Sequence, residues 1–348
     1  MSSQELERSA YGDAEHVSSS HNSLPSPWPA SDHFDGKRFC NPTLPKNFSP
    51  TSGAYKMIFQ KWSRWPAFIE NEGSPRLHEK LGPADIAVTF VNHATFLIQI
   101  PGGNILTDPV WSERASPFRW IGPKRVRKPG VKLDDLPKID LILISHNHYD
   151  HLDIDTLETL NKRFAPRVLV AAGDKQLVKN TGLTDVRELD WWDDVQISSQ
   201  LQVTFTPTQH FSSRGLFDRQ HSLWGSYMIK NLGRLIYFGG DAGYSSHFSE
   251  IKRRLGSPDI ALLGIGAYEP RWFMKPMHMN PAEAVKAHEN IGSKQSIAMH
   301  NRTFRMSAEA IDQPQKDLKV ALLKAGIPES KFVTLSEGET RIYGRPEE

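Results

Sequence analysis

The chain has 348 residues with 42 Lys and Arg against 40 Asp and Glu, so its formal charge of +2 fits neither a polybasic nucleic-acid arm nor an acidic tail. Hydrophobic residues make up 38%, enough for one large domain or two ordinary ones. The single cysteine, Cys40, excludes an intrachain disulfide and every zinc site that needs several thiolates, leaving His, Asp and Glu to hold any metal.

Residues 1–54 are rich in Ser, Pro, Asn and Gly without a sustained period, which predicts an extended or partly disordered leader that adds little to the core. It lacks the basic start and apolar run of a secretory signal. The next unit, residues 55–83, opens with Ile58, Trp62, Trp65 and Ile69 at spacings of four, three and four, with Lys56, Lys61 and Arg64 between them. That pattern predicts a short amphipathic helix ended by Pro66, packing on the domain or resting on a membrane surface. No apolar run approaches the ~18 residues of a membrane-spanning helix, so a cytoplasmic protein with at most peripheral membrane contact is expected.

From residue 84 the texture turns to short strands. Ile86, Val88 and Phe90 alternate, TFLIQI and NILTD flank a PGG turn, and further strands are expected at 141–144, 168–171, 201–206, 223–229, 235–238, 260–263, 296–299, 332–335 and 341–343. Helices are expected at 154–164, 246–255, 281–290 behind an Asn280 cap, and 318–325 closed by Gly326. Residues 84–345 therefore read as one mixed α/β domain.

The sequence ISHNHYDHLD runs an apolar strand into a turn with His146, His148, Asp150 and His151, four candidate ligands within six positions. Alternate residues leaving a strand project to one side, so His146 and His148 can aim at one metal and Asp150 and His151 at a second point nearby. His210, Asp241 and His300 each stand just beyond another apolar strand, where ligands converge on one sheet edge. Gly239 and Gly240 let the chain bring Asp241 close. Isolated histidines such as His16, His21, His33 and His78 read as surface residues. Five histidines and two aspartates suit two adjacent cations, bridged by Asp241 and a hydroxide, with zinc favoured and iron or manganese fitting the same donors. Coordination lowers the pKa of water towards about 7 and supplies a nucleophile without Ser or Cys, which points to a hydrolase.

HNHYDHLD, with the later His210, Asp241 and His300, resembles the ligand signature of the metallo-β-lactamase superfamily. Within it the chain is most similar to the N-acylphosphatidylethanolamine-hydrolysing phospholipase D group, through NILTDPVWSERASPF, IGPKR, LWGSY, FGGDAGY, NPAEAV and above all GAYEPRWFMK. The resemblance implies an αββα sandwich with two Zn2+ at one edge: His146, His148 and His210 on one ion, Asp150, His151 and His300 on the other, Asp241 between. It also implies a phosphodiester lipid as substrate, cleaved to an N-acylethanolamine and phosphatidic acid, with Asp150 and Asp241 catalytic. His278, after the GAYEPRWFMK stretch, is a candidate to orient substrate or act as an acid.

The chain departs from the family pattern at Arg119, Trp120, Met277 and Arg302, which are therefore candidate substrate-binding positions. A non-glycine at 302 takes positive φ at a cost, so the loop after His300 is expected either to change shape or to send Arg302 towards an anionic substrate. The segment RASPFRWIGPKRVRK reads as a solvated basic loop or an anionic-lipid contact; no nucleic-acid partner is expected, and the oligomeric state stays open, a homodimer included. Tyr149 and Asp153 are expected to support the ligand loop, Asp153 by accepting a ligand histidine's second N–H. The competing readings are a lactonase or other hydrolase of a small phosphorylated substrate, and a metal-holding binding protein without turnover.

Overall fold

The computed structural model describes residues 28–45, 54–71, 77 and 81–344. Fourteen strands form two seven-stranded sheets. The first contains β1 (Ile86–Asn92), β2 (Thr95–Ile100), β3 (Gly103–Thr107), β4 (Leu141–Leu143), β5 (Arg167–Ala171) and β6 (Val186–Leu189). The second contains β7 (Asp194–Gln196), β8 (Leu201–Thr206), β9 (Ser226–Asn231), β10 (Arg234–Phe238), β11 (Ile260–Gly264), β12 (Gln295–Met299) and β13 (Phe332–Val333). The chain then returns to pair β14 (Thr340–Tyr343) with β1 at the edge of the first sheet. Strand order is β14-β1-β2-β3-β4-β5-β6 in one sheet and β13-β12-β11-β10-β9-β8-β7 in the other.

The sheets are buried on both faces, so every residue of β1 and β2, Thr89 and Gln99 included, is buried despite the alternation, and β4 is an unbroken apolar run. Phe90, Phe96, Phe205, Phe238 and Trp224 fill the space between them. The helices α1 (Ile154–Phe164) and α2 (Lys175–Lys179) cover the first sheet. The second is covered by α3 (His247–Leu255), α5 (Pro281–Ile291) and α6 (Gln313–Ala325), with the short α4 (Arg271–Met274) in the connection after β11. The result is the αββα sandwich. Asn280 caps α5 by accepting from Glu283 N while Glu283 returns the bond to Asn280 N, and Gly326 ends α6 at φ +69°.

Two N-terminal expectations change. Phe34 and Phe39 are fully buried in the inter-sheet core, so the described part of the leader is an integral element. His33 is likewise buried and sits 2.7 Å from Asp190, while His16, His21 and His78 lie outside the described residues. Residues 54–71 are not an amphipathic α-helix: Ala54–Phe59 form a 3-10 turn and the rest is an extended strap. Its aromatic spacing serves separate anchors, with Trp65 Nε1 donating to Glu309 O at 2.9 Å and Arg305 over the Trp62 ring. The backbone of Ser63 donates to Ala308 and that of Ile69 to Val126.

Strands β3 to β6 run parallel, as do β10 to β13. Their C-terminal ends therefore deliver several loops to one edge of the sandwich, where backbone leaving a parallel sheet habitually builds sites.

Candidate metal centre

Each side chain at this edge is placed by the end of a strand. The loop after β4 carries His146, His148, Asp150 and His151; β8 leads to His210, β10 to Asp241, β12 to His300, and β11 through α4 to His278. Tyr227 of β9 crosses the core and donates to the Ile144 carbonyl at 2.8 Å, fixing the base of the ligand loop. Gly240, at φ +54°, makes the turn into Asp241; a Cβ there would stand 2.8 Å from the Gly225 carbonyl and from Ser145 Cβ. Beyond β11, the buried Glu309 carboxylate accepts from the backbone N–H groups of Ala267, Tyr268 and Glu269 and shapes that loop.

The donors gather into two nests with one common corner. In the first, His148 Nδ1 lies 2.8 Å from His146 Nε2 and 3.3 Å from His210 Nε2, while Asp241 Oδ2 is 4.0 Å from His146 Nε2 and 3.7 Å from His210 Nε2. In the second, His151 Nε2 and His300 Nε2 each stand 3.3 Å from Asp150 Oδ2, and 3.2 Å and 3.1 Å from the same Asp241 Oδ2. Four donors around one cation with bonds of about 2.1 Å stand roughly 3.4 Å apart, so these separations fit a divalent ion in each nest. Asp241 Oδ1, His151 Nε2 and His300 Nε2 are buried without a hydrogen-bond partner, as vacant ligand atoms would be. The structure thus brings all seven sequence-identified ligand candidates together.

Hydrogen bonds behind the rings select the tautomers. His151 Nδ1 donates to Asp108 Oδ2 at 2.6 Å, and His210 Nδ1 donates to the Met277 carbonyl at 2.9 Å. His146 Nδ1 lies 2.9 Å from Ser145 Oγ, which donates to Asp108 Oδ2 at 2.6 Å. In each case Nε2 keeps its lone pair for the nest. The backing role expected of Asp153 belongs to Asp108. Asp153 instead accepts from the backbone of Trp111 and Ser112 and from the Ser112 and Thr156 hydroxyls, tying the ligand loop to the chain after β3. Tyr149 stacks under the Arg214 guanidinium.

His93, from the β1–β2 turn, is the other residue the sequence did not single out. Its Nε2 lies 2.9 Å from Asp150 Oδ2, its ring packs 4.0 Å from that of His300, and its carbonyl accepts from His300 N. Of the nine non-glycine residues with positive φ among the described residues, His93, Asp108, Ala267, His300 and Arg302 lie at this edge, a concentration of backbone strain typical of functional sites. Arg302 therefore does adopt the left-handed conformation, at φ +60°, and its guanidinium pairs with the buried Glu337 at 3.3 Å.

Burial keeps His146 well below the ordinary histidine range and brings His148 to about 3 and His210 to about 4, so the first nest presents neutral imidazoles at pH 7. In the second nest burial opposes the charge, but Asp241 and Asp150 raise His151 well above its usual value and His300 to about 9. Burial also opposes ionisation of the two carboxylates, yet His151 beside both, with His300, holds them far below the carboxylate range. These buried carboxylates demand positive charge, which a bound cation would supply in place of protons on His151 and His300, leaving Nε2 of each free to ligate. His278 Nδ1 is 3.9 Å from Asp241 Oδ2, and burial keeps it neutral; its side chain is 13% exposed, against 1–3% for the candidate ligands with which it is ion-paired or stacked.

The substrate-binding candidates divide. Arg119 and Trp120 lie exposed on the loop after β3, Arg119 paired with Asp155. This loop walls a groove of about 800 Å³ whose other side is Tyr149 and Arg214. Met277 is buried and meets the site through its carbonyl.

A model of the beta-lactamase superfamily domain matches residues 103–301. The chain is 37% identical over 284 residues to N-acyl-phosphatidylethanolamine-hydrolyzing phospholipase D 1 of Caenorhabditis elegans, covering 78% of this chain and 79% of that one. It is 36% identical to the mitochondrial N-acyl-phosphatidylethanolamine-hydrolyzing phospholipase D of Saccharomyces cerevisiae, covering 73% of this chain and 54% of that one. Among solved structures, the isothiocyanate hydrolase from Delia radicum gut bacteria superposes with a TM-score of 0.61 at 20% identity, over 74% of this chain and 100% of that one, a likeness of fold alone.

Proposed function

The chain belongs to the metallo-β-lactamase superfamily and, within it, to the N-acylphosphatidylethanolamine-hydrolysing phospholipase D family, and from that premise we propose that it is a two-zinc phosphodiesterase releasing an N-acylethanolamine and phosphatidic acid from N-acylated phospholipids. The observation that carries this reading is the shared corner: one oxygen, Asp241 Oδ2, belongs to both nests. Paired cations about one carboxylate suit the doubly anionic transition state of phosphoryl transfer.

His146, His148 and His210 would hold one Zn2+, Asp150, His151 and His300 the other, and Asp241 both. When bound, the pair supplies Lewis acidity and water of lowered pKa. The remaining work falls to side chains. Asp108 and the Met277 carbonyl keep the imidazole lone pairs aimed inward. His93 steadies Asp150. To His278, kept neutral by burial, we assign a hydrogen bond to a phosphoryl oxygen that orients the diester, a role its burial favours over acting as an acid. Arg119 lines the groove along which a lipid headgroup would approach, and the exposed Trp120 follows it on the same loop. The partner is a phospholipid, met at a membrane surface.

The test is hydrolysis of N-acylphosphatidylethanolamine by the zinc-loaded protein in isotopically labelled water, with products read by mass spectrometry. Label in phosphatidic acid, with unlabelled N-acylethanolamine, is the expected result. Label in a free fatty acid, or hydrolysis of lactones but not of the diester, defeats the proposal.

A further inference from the structure

Among the described residues, the exposed large apolar side chains are unevenly distributed. Leu216 is 91% exposed and Phe217 85%, on the loop that follows His210. Phe118, Trp120 at 73% and Ile121 stand on the loop after β3, and half-exposed Trp272 on α4. The strap adds Tyr55 and Phe59, with Lys56 lying over the Trp272 ring at 6.0 Å. The loops after β3, β8 and β11 leave C-terminal strand ends at the metal edge, and the strap, which precedes β1, joins them through the Lys56–Trp272 contact. The remaining ones are Phe68 on the strap, beneath Lys128, and, away from this edge, Leu232 at the opposite turn, Val320 and Leu323 one turn apart on α6, and Ile342 on the edge strand.

Charge follows the same division. Residues 54–69, 114–128 and 271–278 contain Lys and Arg and no acid, and the loop at 211–219 contains a single one, Asp218, whose carboxylate is taken up by the backbone of Arg214 and Gly215. Arg119, Lys124, Arg127 and Arg271 are paired with Asp155, Glu113, Glu337 and Glu283, so the cationic character of this edge rests on Lys56, Lys61, Arg64, Arg114, Lys128 and Lys275. Aromatic and aliphatic tips set among Lys and Arg are the composition that enters the headgroup region of an anionic bilayer, whereas stable protein interfaces are depleted of lysine.

We infer that the rim formed by the Phe118–Ile121 loop, the Leu216–Phe217 tip and the Tyr55–Phe59 turn with Trp272 is a bilayer-docking surface, which sets the metal edge against anionic phospholipid. The inference deepens the phospholipase reading and rests on it for the substrate. The binding itself is measured without turnover.

The zinc-loaded full chain is titrated with vesicles of phosphatidylcholine alone and with about 30% phosphatidylglycerol, neither containing N-acylphosphatidylethanolamine, and bound protein is read by co-sedimentation. The parent is expected to prefer the anionic vesicles by about tenfold or more and to lose that preference in high salt. The double substitution Leu216→Ser, Phe217→Ser is expected to weaken binding about tenfold while leaving hydrolysis of a monomeric short-chain substrate unchanged. Leu323→Ser, 82% exposed on α6, serves as the control and should bind as the parent does. Unchanged binding of the rim variant, equal loss in the control, or a dimer in the absence of vesicles that the rim substitutions dissolve would each overturn the inference. An inactive protein that still docks through the rim would fail the phospholipase reading and leave the docking surface standing.

Discussion

Asp108 contributes no atom to the first nest's shared corner, yet its carboxylate holds His151 directly and His146 through Ser145. Replacing it by Asn removes one acceptor and leaves a ring N–H facing an amide, so Asp108→Asn is expected to weaken metal affinity about 10–100-fold in a competition titration against a chelator. Asp150→Asn should lower metal content and turnover together; a fully loaded, fully active Asp150→Asn protein would remove that carboxylate from the centre. Gly266 is a third sensitive position, because a Cβ there would fall 2.0 Å from the His300 carbonyl oxygen. Gly266→Ala is therefore expected to displace His300 and depress zinc content, read by elemental analysis. The clustered ligand motif and the strand-end positions of His210, Asp241 and His300 were legible in the sequence because regular strands impose the spacing. Asp108 obeys the same strand-end rule after NILT and could have been found by it. His93 could not, since its partners, Asp150 and His300, are distant in the chain and nothing in a short turn announces them.

At the scale of elements, the leader is the clearest case of tertiary contact overriding local composition. Phe34 and Phe39 enter the core, and the Asn41 side chain both donates to His210 O at 2.7 Å and accepts from His210 N at 3.2 Å, so this segment braces a ligand-bearing strand end. Its docking carries a charge. Burial opposes protonation of His33, but Asp190 and Asp32 outweigh it and raise its pKa above 6.5. The stabilising charge is thus fully present below pH 6.5 and is lost as pH climbs through the raised value. The thermal-unfolding gap between the parent and His33→Gln should be wider at pH 6 than at pH 9; an equal gap would remove the charge from the account. The apolar residues of the strap at 54–71 fall at helical spacing, but the contacts that fix it come from Ser63, Trp65 and Ile69, at spacings of two and four, and an extended chain meets them. The strands β6 and β7, at sheet edges, and the short α2 and α4 gave too little period to be seen.

For the whole molecule, the two sheets meet at one edge in a knot of buried acids and imidazoles. Ions that bind only a folded state stabilise it by mass action, and without them Asp150 and Asp241 would face protonated histidines alone. Chelation should lower the unfolding temperature by at least about 5 °C, recovered on adding zinc, as followed by scanning calorimetry. An unmoved transition would deny the ions any structural part. Because a single carboxylate oxygen serves both nests, the two halves of the centre cannot titrate independently. If each nest takes a cation, the first to arrive would alter the other's affinity, and reciprocity would require the same factor in either order of filling. The half-loaded protein should accordingly be a distinct species whose abundance measures that coupling, and the coupling should change when Asp241 loses its charge, since the direct repulsion between the ions would then go unscreened.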